Sequence, residues 1–306
     1  MRIRLLGTAA GGGVPQWNCN CPVCREARAG TGRVHPRTQS SVAVSADGRR
    51  WFLLNASPDL RQQIESFPPL HPPAGKTRGS SIEAVLLTNA DLDHTLGLFL
   101  LREGEKLPVH ATACVRQSLT KGISLAPVLD LFCRIGWIEP PAKASPLACR
   151  DGSQSGLLYH AISLRGKPPR FWKSAAAPST GHVIGYRLTD EKTGGRLLFL
   201  PDVAALDGAL APLLGQCEAL LFDGTFWSET EMQERAAGEL SASDMGHVPI
   251  AGAGGSLKIL AGLAAKNKIY FHINNTNPIL LGDSPERAAV VAAGCAVGWD
   301  GMEIEI

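Results

Sequence analysis

Several apolar runs in this chain stop on side chains that bind metals or move protons. "LLTNADLDH" passes from a strand-like stretch into Asp91, Asp93 and His94, "LLFLPDVA" reaches Asp202, "ALLFDGTFW" reaches Asp223, and "IYFHINNTNP" carries His272. His247 sits in a fifth such stretch, "DMGHVPI". One charge just beyond a strand is ordinarily a solvated cap. A whole set of them restricts the chain to layered folds, because strand ends and their loops are where such folds build sites.

The remaining patterns agree with a sheet-rich α/β chain. Strands are expected in "MRIRLLG", "SSVAVSA", "WFLLNAS", "AVLLTNA", "GLLYHAISL", "HVIGYRL", "RLLFLPD", "ALLFDGT", "KIYFHIN" and the closing "GMEIEI". Helices are expected over 58–67, 95–102 and 254–265, and after Ser284, an N-cap followed by Pro285. Strands in two groups, each followed by helices, suggest two packed sheets with helices outside. With 306 residues, 44% of them hydrophobic, and no linker-like stretch, one domain over 1–306 is expected.

Charge and hydropathy exclude some classes. A net charge of +2 gives no electrostatic case for a nucleic-acid or membrane partner. Apolar runs fall well short of the roughly 20 residues that span a bilayer. Glycines interrupt "MRIRLLGTAAGGG" before a signal-peptide core could form, so a cytoplasmic protein is expected.

Of the eight cysteines, Cys114, Cys133, Cys149, Cys217 and Cys295 lie singly among apolar neighbours and read as buried thiols. Cys19, Cys21 and Cys24 crowd into "WNCNCPVC". Three thiolates on a turn suit a tetrahedral zinc site that takes its fourth ligand from elsewhere.

The order strand–"NADLDH"–helix, then "FLPD", then "FHINNTNP" resembles the metallo-β-lactamase superfamily and its HxHxDH motif. Within it, "GTAAGGGVPQWNCNCPVC", "LLNASPDLRQQI", "LTNADLDHTLGL", "MGHVPI" and "FHINNTNP" resemble the family of B proteins of pyrroloquinoline quinone (PQQ) synthesis. The resemblance implies an αββα sandwich. It also implies catalytic roles for Asp91, Asp93, His94, Asp202 and His272, with the last four as ligands of the catalytic metal. Related hydrolases with the same cysteine cluster use a late histidine there, which makes His247 the expected fourth zinc ligand.

The departures bear on the chemistry. Asn89 and Asp91 stand where the motif has its first two histidines, and "RGKPPRFWK" has no histidine where the superfamily has another. His160 and His182 lie in strand patterns and read as core or sheet residues. Asp91 is left either to ligate weakly or to act as an acid/base. The surviving set argues for one catalytic metal, and two imidazoles with carboxylates suit non-haem Fe(II) rather than a zinc pair. By the resemblance, the reaction is O₂-dependent hydroxylation of the tyrosine ring in a cross-linked Glu-Tyr unit cut from a precursor peptide. Other PQQ-synthesis proteins are implied partners and an oligomer is admitted. Alternatives are a phosphodiesterase-like hydrolase and a carrier of PQQ or its precursor towards the periplasm. Arg165, Lys167, Arg170 and Lys173, beside Phe171 and Trp172, are expected to receive the carboxylates and ring of that substrate.

Overall fold

The computed structural model describes residues 1–104, 106–172, 180–208 and 210–306. Lys173 lies outside them. The chain divides into two compact units, one formed by 1–7, 40–195 and 301–306, the other by 8–39 and 196–300.

The first unit carries a seven-stranded sheet. Its strands are β1 (Arg2–Gly7), β2 (Ser41–Ser45), β3 (Trp51–Leu54), β4 (Ile82–Leu86), β5 (Lys106–His110), β6 (Arg134–Ile138) and, from the end of the chain, β14 (Glu303–Glu305), in the order β14-β1-β2-β3-β4-β5-β6. β3 through β6 run parallel, so the turns leaving β3, β4 and β5 emerge at one end of the sheet. β3 and β4 in the middle of the sheet are almost wholly buried and apolar, as strands covered on both faces require. Trp51, Leu53, Val85, Leu87 and Val109 share a core with Leu60 and Phe67 from the helix Leu60–Glu65 and its exit. Three further strands of this unit pair antiparallel: β7 (Ser145–Ala148), β8 (Gln154–Ser163) and β9 (Ile184–Asp190). His160 lies in β8 opposite Arg187, and His182, buried, precedes β9, as the sequence suggested.

The second unit is built on parallel strands β10 (Arg196–Leu200), β11 (Ala219–Asp223), β12 (Asn267–Phe271) and the two-residue β13 (Ala296–Val297). Phe199 and Phe271 pack at 5.5 Å between ring centroids, and both are fully buried. The last helix, Pro285–Ala292, begins as expected: the Ser284 hydroxyl accepts a bond from the Arg287 N–H.

Four strands were not anticipated. β5 and β7 contain proline, β6 contains glycine, and β13 is too short to leave a pattern. Nor was the helix Pro22–Ala29, which opens inside the cysteine cluster with proline at its first position and ends on Gly30 at φ +64°. No helix among the described residues is long and apolar enough to cross a membrane.

Candidate metal centre

In the second unit, register does the first part of the positioning. Leu200 pairs with Phe222 and Asp223 with Phe271, so Asp202, Asp223 and His272 all leave the sheet at the carboxyl ends of adjacent parallel strands. In open α/β sheets this end is where ligands bind. His247 joins them from the turn after the helix Ala242–Met245. Donor atoms of Asp202, His247 and His272 all lie within 4.8 Å of one another. His272 Nε2 is 3.9 Å from Asp202 Oδ1, and the two imidazoles stack at 5.6 Å with an angle of 26° between their planes.

Behind this triad stands a set of groups that orients it. His247 Nδ1–H donates to Asp223 Oδ2 at 2.7 Å, leaving Nε2 as its donor atom. Asp223 is wholly buried and also accepts from the backbone N–H groups of Val203 and Thr225. The Thr225 hydroxyl donates to Asp223 Oδ1 at 2.6 Å and lies 2.9 Å from His272 Nδ1, which turns His272 Nε2 towards Asp202. Burial alone would push the Asp223 carboxyl up, but the adjacent His247 imidazole outweighs it and holds the carboxyl below the usual range. Reciprocally, burial opposes protonation of His247, yet Asp223 lifts that imidazole above its ordinary value. His272 itself has φ +57°, in the left-handed region.

In the first unit, Asn89, Asp91, Asp93 and His94 follow β4. Asp91 precedes the helix Leu92–Thr95 and is half-buried, and Asp93 sits in that helix's first turn. His94 is fully buried. Its Nδ1 lies 2.9 Å from Asn89 Oδ1, which fixes that nitrogen as the protonated one, while Nε2 is 3.3 Å from Ser40 Oγ and 3.7 Å from Asp93 Oδ2. Asn89, standing at a position the HxHxDH motif gives to a ligand, therefore orients a neighbouring histidine.

The basic segment leaves Arg165, Lys167 and Arg170 exposed, while Trp172 is half-buried. A side chain at Gly122, which ends the wide helical turn Ser118–Gly122, would meet the Phe171 ring at 2.9 Å and Trp172 at 3.4 Å. The missing Cβ lets both aromatics rest on that turn.

The sulfurs of Cys19, Cys21 and Cys24 also lie within 4.8 Å of one another. Backbone N–H groups of Gln16 and Cys21 point at Cys24 and Cys19, at 3.4 and 3.5 Å. A hydrogen bond from Cys21 is the main influence lowering the Cys24 thiol to about 7. Three soft donors converging in this way fit a zinc ion. The expected fourth donor, His247, is not in this group: its Nδ1 is held by Asp223 and its ring stacks on His272. The sequence marks Asp223 as a ligand-type residue at a strand end but assigns it no role, and Thr225 beside it in "FDGT" was passed over.

The β-lactamase superfamily domain matches residues 50–273. Coenzyme PQQ synthesis protein B of Ectopseudomonas mendocina is 44% identical over 308 residues, spanning 99% of each chain. That of Azotobacter vinelandii is 44% identical over the full length of both. The crystal structure of Zn²⁺-bound PqqB from Methylobacterium extorquens covers the whole of both chains at 39% identity and a TM-score of 0.90, and a diphosphatase of the PhnP family shares the fold at 20% identity and a TM-score of 0.66. The expected α/β metallo-β-lactamase fold is thus the fold found. Matched from end to end at such identity, the chain belongs to the β-lactamase superfamily and, within it, to the coenzyme PQQ synthesis protein B family.

Proposed function

We propose that this chain serves PQQ biosynthesis as an iron- and O₂-dependent hydroxylase acting on the tyrosine ring of a cross-linked Glu-Tyr precursor. One observation carries the chemistry: Asp202, His247 and His272 bring one carboxylate and two imidazoles together. That is the donor set of the non-haem Fe(II) oxygenases. Fe(II) held there would supply O₂ activation. Asp223 and Thr225 hold the imidazoles in the tautomers that present Nε2, and their burial keeps water from competing for those bonds. Asp93 and His94 enter as further donors by the sequence resemblance, with Asp91 as weak ligand or acid/base. Arg165, Lys167 and Arg170 bind the substrate carboxylates, and Trp172 lies against its ring.

The test is anaerobic loading with Fe(II), then O₂ uptake with the cross-linked dipeptide. Uptake should be one metal-dependent process, abolished in His94→Ala and His272→Ala. Full activity in both variants would overturn the assignment. A zinc-dependent hydrolase is the second reading, favoured by the Zn²⁺-bound relative. Turnover of a phosphodiester by the zinc form without O₂ would establish it, and tight binding of PQQ with no turnover by either metal form would point to a carrier.

A further inference from the structure

We propose that Tyr159 and His110 form a one-electron redox site, in which the tyrosine gives up an electron and the histidine receives its phenolic proton. Both residues belong to the first unit, Tyr159 on β8 and His110 at the end of β5, and both are buried. The Tyr159 O–H donates to His110 Nδ1 at 2.8 Å. The Tyr159 ring also stacks on that of Tyr186, with 6.5 Å between centroids and 29° between planes. The proposal draws on the hydroxylase reading only for the source of its oxidant, a strong one-electron oxidant of the kind that O₂ activation generates.

A phenol that loses an electron becomes a strong acid and must shed its proton, so the partner of the hydroxyl decides which tyrosine can be oxidised. The chain has three tyrosines. Tyr186 donates to the Leu87 carbonyl at 3.0 Å, and the Tyr270 hydroxyl lies 2.9 Å from that of Ser256; neither partner is a base. Tyr159 faces one. Burial lowers the His110 imidazole to about 4, so at neutral pH the ring is uncharged and able to accept a proton. Burial also raises the Tyr159 phenol to about 12, which keeps the proton on oxygen until the electron leaves. A histidine with a purely structural task pairs both nitrogens, yet His110 Nε2 is buried with no hydrogen-bond partner among the described residues.

The step balances simply. One electron leaves the Tyr159 ring for the oxidant, the phenolic proton crosses the hydrogen bond to Nδ1, and a neutral phenoxyl radical and an imidazolium remain. Burial disfavours that imidazolium, so the proton goes back when an electron returns and the site is reset. Tyr186 supplies a path for the electron. Its ring stacks on Tyr159 and its hydroxyl reaches Leu87, whose neighbour Thr88 has its hydroxyl 3.3 Å from His94 Nδ1. The pair thereby draws an oxidising equivalent away from the residues around His94 when there is no substrate to attack.

The experiment uses the full chain freed of metal, so its outcome does not depend on the hydroxylase reading. Flash-generated tris(bipyridine)ruthenium(III) supplies the oxidant, and electron paramagnetic resonance after rapid freezing reads the radical. Wild type should give a tyrosyl signal that narrows on labelling with ring-deuterated tyrosine and is lost in Tyr159→Phe. His110→Gln is the deciding variant, and it also decides should Tyr159→Phe not fold. Its carboxamide can hold the phenol hydrogen bond but cannot take the proton, so radical formation should slow roughly a hundredfold, the usual worth of a positioned base. A merely structural pair would lose nothing there. Absence of a tyrosyl signal in wild type, its survival in Tyr159→Phe, or equally fast formation in His110→Gln would each overturn the proposal. A radical that behaves as expected in a protein whose iron form takes up no O₂ would leave the redox site standing and overturn the hydroxylase reading instead.

Discussion

The carboxylate of Asp223 holds the Nδ1–H of His247 at 2.7 Å, deep at the carboxyl end of β11. A buried acid bonded to an imidazole in this way selects the tautomer and aims the other nitrogen, and removing such a partner typically costs 10–100-fold in metal affinity. Asp223→Asn should therefore weaken metal binding by roughly that factor, while Asp202 and His272 remain in place. Isothermal titration of the metal-free protein reads this directly; an affinity equal to wild type would mean that Asp223 does not orient a ligand.

Thr225 offers a separate handle on the same group. Its hydroxyl meets Asp223, His247 and His272, all of them buried. Thr225→Val keeps the volume and leaves those partners short of one bond, a cost of about 1–3 kcal/mol. Thr225→Ser should retain most of the stability. Denaturant melts of the pair would separate hydroxyl from methyl.

Gly97 makes a steric prediction in the first unit. A Cβ there would lie 2.2 Å from the Ser57 carbonyl oxygen, and Ala56 in the same turn bonds both Gly97 N–H and the His94 carbonyl. Backbone cannot yield as a flexible side chain can, so Gly97→Ala should cost about 3 kcal/mol or more. Gly254→Ala, where nothing lies within 4 Å, should be close to neutral. Comparing the two melting temperatures checks the claim.

Glu231 should leave a mark on stability against pH. Burial raises its carboxyl from 4.5 to about 7, against hydrogen bonds from Thr276 and the Trp227 backbone N–H that pull the other way. The folded chain then holds a proton that the unfolded chain has lost between those two values. Stability is highest below 4.5, falls as pH rises to about 7, and is flat above. The fall is on the order of 3 kcal/mol. Glu231→Gln should remove that slope, and the difference between the two curves isolates it from other titrating groups.

On the proposed function, Arg165→Glu and Arg170→Glu should each raise KM for the cross-linked dipeptide roughly tenfold or more, the worth of one charged hydrogen bond. Metal content should not change. Unaltered kinetics in both would return this stretch to an ordinary surface loop.

Much of the fold was legible because its central strands are apolar and bounded by turn residues. What escaped lies at sheet edges or carries proline, where a strand needs only one good neighbour and little hydrophobic alternation. The site was legible by halves. Asp202 and His272 announce themselves by following apolar runs. His247 was singled out too, but for the cysteine cluster: its partner is Asp223, 24 residues away, and only the fold brings the two rings and the acid together.

The backbone of His272 exacts its own toll. An L-residue other than glycine at φ +57° sacrifices about 1–2 kcal/mol relative to ordinary conformations. Laboratory evolution for heat resistance alone, with no demand on turnover, should therefore drift towards glycine or asparagine at 272 and so discard the imidazole. Sturdier offspring of that kind would be inert, and robustness and activity would be at odds in this one torsion angle.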